Sequence, residues 1–280
     1  MTTKTAQEIK QEVRQAYGQV ARKFVQAPDQ ASCCGPAESD FSPRLYSESE
    51  LTDLPESVTG ASLGCGNPTA IASLQAGDVV LDLGSGGGID CFLAAKQVGP
   101  SGKVIGLDMT PDMVKLARRN AKKLGLSNVD FRYGEMEEMP IESNSVDAII
   151  SNCVINLSPN KDAVFTEAFR VLKPGGRISV SDIVTNGELP KELRSSVMTW
   201  AGCVAGALDE KVYLDKMQNA GLTEVTVTAK VYFDPSNYLD TPDIQESLAR
   251  MDPPVSIDWL SDQLDQKLAS VTVTACKPKT

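Results

Sequence analysis

From residue 79 onward, the apolar positions alternate between the spacing of strands and the spacing of helices. Short apolar runs predict strands, and between them apolar residues recur every three to four positions, as on one face of a helix. This alternation is typical of a doubly wound α/β sheet with helices on both faces. The predicted strands are 79–83, 103–108, 129–133, 146–152 and 177–184, and the predicted helices are 89–98, 111–124 with Thr110 as its cap, and 163–172 ending before Pro174.

Two flanking regions depart from this alternation. Residues 5–26 carry apolar side chains three and four apart, which predicts an amphipathic helix, whereas 27–62 is rich in Ser, Pro, Gly and acidic residues and predicts a mobile lid. The sequence therefore divides into an N-terminal helix and lid (1–60), a Rossmann-like domain (61–189) and a C-terminal α+β extension (190–280). In the extension we expect helices over 190–207 and 210–220, strands over 223–233 and 270–276 that close the far edge of the sheet, and a less regular stretch over 234–268 ending in an acidic helix.

Composition limits the partners and the compartment. The 280 residues carry 27 basic and 37 acidic side chains, a formal net charge of −10, which disfavours nucleic acid and anionic membranes and favours a small substrate. No apolar run approaches the roughly 18 residues of a membrane span, and we expect a cytoplasmic monomer. Seven cysteines in a reducing compartment do not predict a disulfide framework, and the absence of histidine removes the usual general base.

A glycine-rich turn follows the first predicted strand. Residues 82–88 read DLGSGGG, with glycines at 84, 86 and 88. A dinucleotide site requires G-x-G-x-x-G/A, and the third position of that pattern is Ile89 here. Asp108 ends the second strand, where its carboxylate could accept bonds from both ribose hydroxyls. The pattern predicts an S-adenosylmethionine site of the class I methyltransferase type, against the plainer alternative of a tight turn between strand and helix.

The carboxyl ends of parallel strands share one rim of the sheet, where such folds bind ligands. Glu135 and Met136 follow the third strand and are candidates for the edge and face of adenine, although core packing is an equal alternative for Met136. Asn152 and Cys153 follow the fourth strand, where methyltransferases of this architecture place the methyl acceptor. The predicted cofactor-binding residues are Asp82, Gly84, Gly86, Gly88, Asp108, Met109, Glu135, Met136 and Asn152.

Cysteine thiolates at this rim would suit a soft, thiophilic substrate. Three thiolates in a pyramid would bind trivalent arsenic, whose lone pair could attack a sulfonium methyl with no further proton to remove. An unperturbed thiol has a pKa near 8.5, so only about 3% of each cysteine would be thiolate at pH 7. The alternative is that the cysteines are small buried hydrophobes, as we expect for Cys91 and Cys276.

Four blocks of sequence resemble the family of arsenite S-adenosylmethionine methyltransferases. They are residues 61–68 (ASLGCGNP), 82–88 with Asp90 following, 151–157 (SNCVINL) and 202–207 (GCVAGA), and the resemblance covers roughly residues 32–230. It implies an arsenite methyltransferase that takes arsenite or methylarsenite as substrate and S-adenosylmethionine as cofactor.

The resemblance also implies roles for four cysteines. Cys65, Cys153 and Cys203 would bind arsenic, and the fourth cysteine would be Cys34 or its neighbour Cys33. Cys65 would end in a disulfide with that N-terminal cysteine or a neighbour, which thioredoxin or glutathione would reduce by exchange.

Two other functions stay open from the residues themselves. One is a methyltransferase acting on oxygen, nitrogen or carbon of a small metabolite, with a carboxylate or tyrosine as base and structural cysteines. The other is a thiol-based protein that sequesters or senses arsenite, in which the glycine motif is only structural.

Overall fold

A computed structural model describes residues 5–26, 46, 54–59, 73–187, 206–232, 256–264 and 266–279. Within these residues an eight-stranded sheet has the order β3-β2-β1-β4-β5-β8-β7, and the short β6 pairs with β5. The first five strands are parallel to one another, while β8 is antiparallel to both β5 and β7. The strands are β1 (Val79–Leu83), β2 (Lys103–Asp108), β3 (Val129–Tyr133), β4 (Val146–Asn152), β5 (Leu172–Thr185), β6 (Leu208–Asp209), β7 (Thr223–Tyr232) and β8 (Leu268–Cys276).

Helices connect these strands and cover both faces of the sheet, which confirms the doubly wound Rossmann-like fold predicted from the apolar pattern. The helices are α1 (Ala6–Gln26), α2 (Glu56–Thr59), α3 (Ile89–Val98), α4 (Pro111–Lys123), α5 (Lys161–Val171), α6 (Glu210–Asn219) and α7 (Ile257–Leu264), with one 3₁₀ turn at Ile155–Leu157. No described helix combines the length and apolar character needed to cross a bilayer.

Two hydrophobic layers lie on opposite faces of the sheet. In β1, Leu81 and Leu83 pack into the layer under α5 and α6, while Val80 packs into the layer under α3 and α4. This division follows from the two-residue period of a strand, which points successive side chains to opposite faces. Asp82 therefore lies on the face of α3.

Some predicted boundaries were wrong. Helix α5 begins at Lys161 rather than 163, because the Asn160 side chain accepts the Ala163 N–H at 3.1 Å and caps the first turn. Strand β5 begins at Leu172, directly after α5, rather than at residue 177. Thr110 occupies the cap position of α4, but its side chain makes no capping hydrogen bond.

Part of the predicted lid is a packed helix. Val58 of α2 is fully buried, and the Ser57 hydroxyl donates to Asn120 Oδ1 at 2.9 Å, so α2 is held against α4. The remainder of the lid, apart from residues 46, 54 and 55, lies outside the described residues, as does most of the helix predicted over 190–207. The three-part domain division stays a prediction.

Candidate cofactor and thiol site

A pocket opens at the carboxyl ends of β1, β2 and β4, on the rim predicted from the strand order. Its wall includes the glycine turn after β1, the end of β2 and the turn after β4, and helices α1 and α2 contribute Val13, Tyr17 and Val58. Residues 84–87, 107–110 and 152–154 supply the three strand ends. The tertiary structure thus brings three segments that are distant in sequence to one pocket.

The glycine turn leaves its backbone open to this pocket. Gly86 has a φ of +50°, and a Cβ built there would meet no atom of the described residues within 4 Å. Gly84, with a φ of +69°, is closed off instead, because a Cβ there would lie 2.3 Å from Val154 Cγ2. Gly86 therefore leaves room for a ligand, whereas Gly84 lets the turn after β4 pack against the turn after β1. Gly87 also lines the pocket, whereas Gly88, a predicted cofactor residue, lies at the start of α3 outside the pocket wall.

Asp108 braces the glycine turn. Its Oδ2 accepts the Gly86 N–H at 2.9 Å and its Oδ1 accepts the Thr110 N–H at 2.7 Å. Burial raises the pKa of Asp108 from its ordinary value, although these two bonds oppose the shift. A carboxylate has about four acceptor sites, so the two backbone bonds leave capacity for the predicted ribose hydroxyls. Met109 lines the pocket beside it.

Asp82 lies behind the turn and does not contribute to the pocket wall. It is 2% exposed, and the Cys91 thiol of α3 donates to its Oδ2 at 3.1 Å. Burial, together with the charge of Asp90, raises the pKa of Asp82 well above its ordinary value. The pKa of the Cys91 thiol is raised as well, by burial and by Asp82, so this buried cysteine is protonated and a poor nucleophile.

A polar cluster that sequence reasoning missed lies beside the turn. Asp90 lines the pocket, accepts the Tyr46 hydroxyl at 2.9 Å and accepts the Asn152 amide at 3.3 Å. Asn152, a predicted cofactor residue, also donates to the Tyr46 oxygen at 3.0 Å. Sequence analysis noted Asp90 only within a block that resembles the family and gave it no role, because an acidic residue in the first turn of a helix is also favoured by the helix dipole.

Glu135 points away from the pocket wall toward α1. Its carboxylate accepts a hydrogen bond from Lys10 at 2.6 Å and forms a second ion pair with Arg14. The bond from Lys10 lowers the pKa of Glu135. Met136, by contrast, lines the pocket and is also part of the core, so both of its predicted roles are compatible with its position.

Cys153 is brought into the same pocket by an unusual backbone conformation. The residue is 4% exposed and has a φ of +57°, a left-handed value that residues other than glycine rarely adopt. Its N–H donates to the Ser181 carbonyl at 2.7 Å, which ties the turn to β5. Such outliers persist where surrounding contacts hold them, and they cluster at functional sites.

The Cys153 sulfur also forms a disulfide bond. Because the other two described cysteines, Cys91 and Cys276, are free, the partner sulfur belongs to a cysteine outside the described residues. Cys33, Cys34, Cys65 and Cys203 all lie there, so their predicted roles stay predictions. Among the residues that the structure describes, no cluster of three metal-ligating side chains occurs.

Comparisons with known proteins show the family of the chain. A family model described as a methyltransferase domain matches residues 74–221. The arsenite methyltransferase of Halobacterium salinarum is 41% identical over 256 residues, which cover 89% of this chain and 59% of that protein. The arsenite methyltransferase of Homo sapiens is 39% identical over 210 residues, which cover 72% of this chain and 54% of that protein. The chain thus spans a little over half the length of these curated relatives.

A solved structure gives fuller coverage. The arsenic(III) S-adenosylmethionine methyltransferase of Chlamydomonas reinhardtii superposes with a TM-score of 0.67 at 33% identity, covering 82% of this chain and 73% of that chain. This confirms the class I methyltransferase sheet and the resemblance drawn from the four sequence blocks. The chain belongs to the family of arsenic(III) S-adenosylmethionine methyltransferases.

Proposed function

We propose that this chain transfers methyl groups from S-adenosylmethionine to trivalent arsenic held by cysteine thiolates, with arsenite or methylarsenite as the substrate. The observation that supports it best is the position of Cys153, which lines the same pocket as the Gly84 and Gly86 turn and Asp108. A soft sulfur ligand for the acceptor would then lie beside the cofactor, as methyl transfer requires. The family of the chain supports the same substrate.

The residues of the pocket fit the cofactor. S-adenosylmethionine supplies an electrophilic methyl group on a positively charged sulfonium sulfur. The open backbone at Gly86 would admit its amino-acid portion, Asp108 would accept its ribose hydroxyls, and Met109 and Met136 would contact adenine. Asp90 in the pocket wall adds a carboxylate, which favours a cationic ligand.

The thiols would hold arsenic and orient its lone pair. Cys153, with Cys65 and Cys203, would replace the hydroxides of arsenite, which leave as water, and each thiol would lose its proton. The lone pair of the bound arsenic needs no base, which agrees with a chain that contains no histidine. Alignment of the lone pair with the methyl carbon is then the main catalytic contribution of the protein, an effect worth on the order of 7–11 kcal/mol when the geometry is good.

Cysteine pairs would restore the trivalent state. Methylation formally oxidises arsenic by two electrons, and two protein thiols can return them by forming one disulfide. The disulfide at Cys153 supports a role for this sulfur in thiol–disulfide exchange. Thioredoxin or glutathione would then reduce the disulfide by exchange, with Cys34 or Cys33 as the relay. A cytoplasmic monomer is the form in which we expect this cycle to run.

Arsenic speciation with two matched variants tests the proposal. The full chain is incubated with arsenite, S-adenosylmethionine and a thiol reductant, and methylated products are separated and detected by elemental mass spectrometry. Cys153→Ser should abolish methylation and leave cofactor affinity, measured by calorimetry, within about twofold of wild type. Cys276→Ser is the control, because Cys276 is a free, half-buried thiol on β8 that does not line the pocket.

Each contrary result points to a different function. Cofactor binding without methylated arsenic would favour a methyltransferase of small metabolites with structural cysteines. Arsenite binding without cofactor binding would favour sequestration or sensing. Full activity of Cys153→Ser would remove the thiol ligand from the mechanism.

A further inference from the structure

We infer that Asp182 is a positioning residue that holds the Cys153 turn in place, acting through Asn156 and Tyr213. This inference rests on the proposed function, because it gives a buried network a role in presenting Cys153 to arsenic. Asp182 lies near the end of β5, on the face covered by α5 and α6, and does not line the cofactor pocket.

The Asp182 carboxylate joins three elements of the fold. Its Oδ2 accepts the Asn156 N–H at 3.1 Å, three residues after Cys153, and also accepts the Tyr213 hydroxyl of α6 at 3.3 Å. Its Oδ1 accepts the N–H of Ile183 at 3.0 Å. Asp182 is 1% exposed, so water does not replace these partners, and losing the carboxylate leaves buried donors unpaired.

Asn156 continues the restraint on the Cys153 turn. Its amide donates to the Ile183 carbonyl at 2.6 Å, while the Cys153 N–H donates to the Ser181 carbonyl at 2.7 Å. The turn is therefore tied to β5 both at Cys153 itself and at Asn156. These are the contacts that can maintain the left-handed backbone at Cys153 against its steric cost.

The same turn receives the start of the segment that leads into α6. A Cβ built on Gly206 would lie 1.9 Å from the Asn156 carbonyl oxygen, so only glycine allows this approach. Lys161 Nζ donates to the Asn156 carbonyl at 3.2 Å and to the Ser158 carbonyl at 3.1 Å. The Asn156 carbonyl is therefore held between Gly206 and Lys161, which fixes the end of the Cys153 turn on that side.

The charges around Asp182 are few among the described residues. Lys161 is the cation whose charge acts on Asp182, and Tyr213 faces it from α6. Because these groups lie behind the turn, a change at Asp182 should alter arsenic binding far more than cofactor binding. A larger loss of arsenic binding than of cofactor binding would distinguish positioning of the Cys153 turn from a general contribution to the stability of the fold.

Variants of the network test this asymmetry in the reduced full-length chain. Asp182→Asn should weaken arsenite binding and lower kcat/KM for arsenite by at least about tenfold, because one of the two acceptor oxygens becomes an N–H donor that faces buried donors. The Kd for S-adenosylmethionine should stay within about twofold. Tyr213→Phe removes one of the three bonds and should give a smaller loss, about threefold. Ser179→Ala is the control, because Ser179 is buried on the same strand and its hydroxyl has no hydrogen-bond partner among the described residues.

A second readout does not require arsenic. Iodoacetamide alkylation of Cys153, followed by peptide mass spectrometry, should proceed several-fold faster in Asp182→Asn than in wild type or Ser179→Ala, because the turn around the buried thiol loosens.

Equal losses of arsenite and cofactor affinity, or unchanged arsenite affinity and alkylation, would overturn the inference. If Asp182→Asn does not fold, Tyr213→Phe decides by the same criteria. Failure of wild type to methylate arsenite would refute the proposed function, and the alkylation rates would still show whether Asp182 holds the turn.

Discussion

Substitution of Gly86 by alanine tests separately what this position contributes to the stability of the fold and to the affinity for the cofactor. Gly86 has a φ of +50°, and in the part of the chain that the structure describes no atom lies within 4 Å of a Cβ built there. The cost to the folded state is therefore limited to the left-handed backbone, about 1–2 kcal/mol for a residue with a Cβ. For a chain of this size that free energy corresponds to a fall in Tm of about 2–8 °C.

The added methyl group would occupy space that the pocket leaves for a ligand. We expect the affinity for S-adenosylmethionine to fall at least tenfold, about 1.4 kcal/mol, although the Gly86 N–H can still reach Asp108. Calorimetric titration with the cofactor and thermal unfolding without it measure the two effects separately.

Gly125 provides the matched control. It has a φ of +66°, again with no atom within 4 Å of a built Cβ, and it follows α4 outside the pocket wall. Gly125→Ala should lower Tm by a similar amount and leave cofactor affinity unchanged. If Gly86→Ala binds the cofactor with an affinity within twofold of wild type, the cofactor does not bind against the turn at Gly86.

Two further predictions concern stability and cofactor exchange. Burial raises the pKa of Asp182 from 3.8 to about 7, so the folded state keeps a proton that the unfolded state releases, and this contribution to stability is lost as pH rises from about 4 to 7. Urea unfolding should therefore show a fall of a few kcal/mol across this range in wild type, relative to Asp182→Asn, and parallel pH profiles would contradict the assignment. Replacement of both Lys10 and Arg14 by alanine should cost no more than about 1–2 kcal/mol of stability, because their ion pairs with Glu135 are partly exposed. The same double variant should release the cofactor several-fold faster, because α1 carries Val13 and Tyr17 over the pocket. Stopped-flow release at low and high salt measures this, and an unchanged rate would show that α1 does not cover the cofactor.

The apolar pattern predicted most of the sheet because strand and helix periodicities are local. Strands β1 to β4 begin and end as expected, and the two C-terminal strands do close the far edge. The glycines at 84 and 86 could also be identified, because a turn with positive φ between a strand and a helix strongly favours glycine. Asp108 followed from its place at the end of β2, where the parallel neighbours bring it to the same rim.

The directions of several side chains could not be predicted in the same way. Glu135 follows β3 at the rim, but its partners Lys10 and Arg14 lie more than 120 residues earlier. Asp90 meets Tyr46 across 44 residues, and Asp82 is turned toward Cys91 by the alternation of β1. Each outcome depends on charges and donors that the folded chain brings near, which no local pattern contains.

By itself, the sequence determined a doubly wound sheet, a glycine turn open to a ligand and a cysteine after the fourth strand, because backbone periodicity and positive φ act through neighbouring residues. Only the tertiary structure decided that the Cys153 backbone is left-handed, that Cys153 lines the same pocket as the glycine turn, and that Asp182 accepts the N–H of Asn156 just beyond it. Those features need contacts between β4, β5 and α6, and such long-range contacts form only when the burial of the shared core compensates the loss of chain entropy.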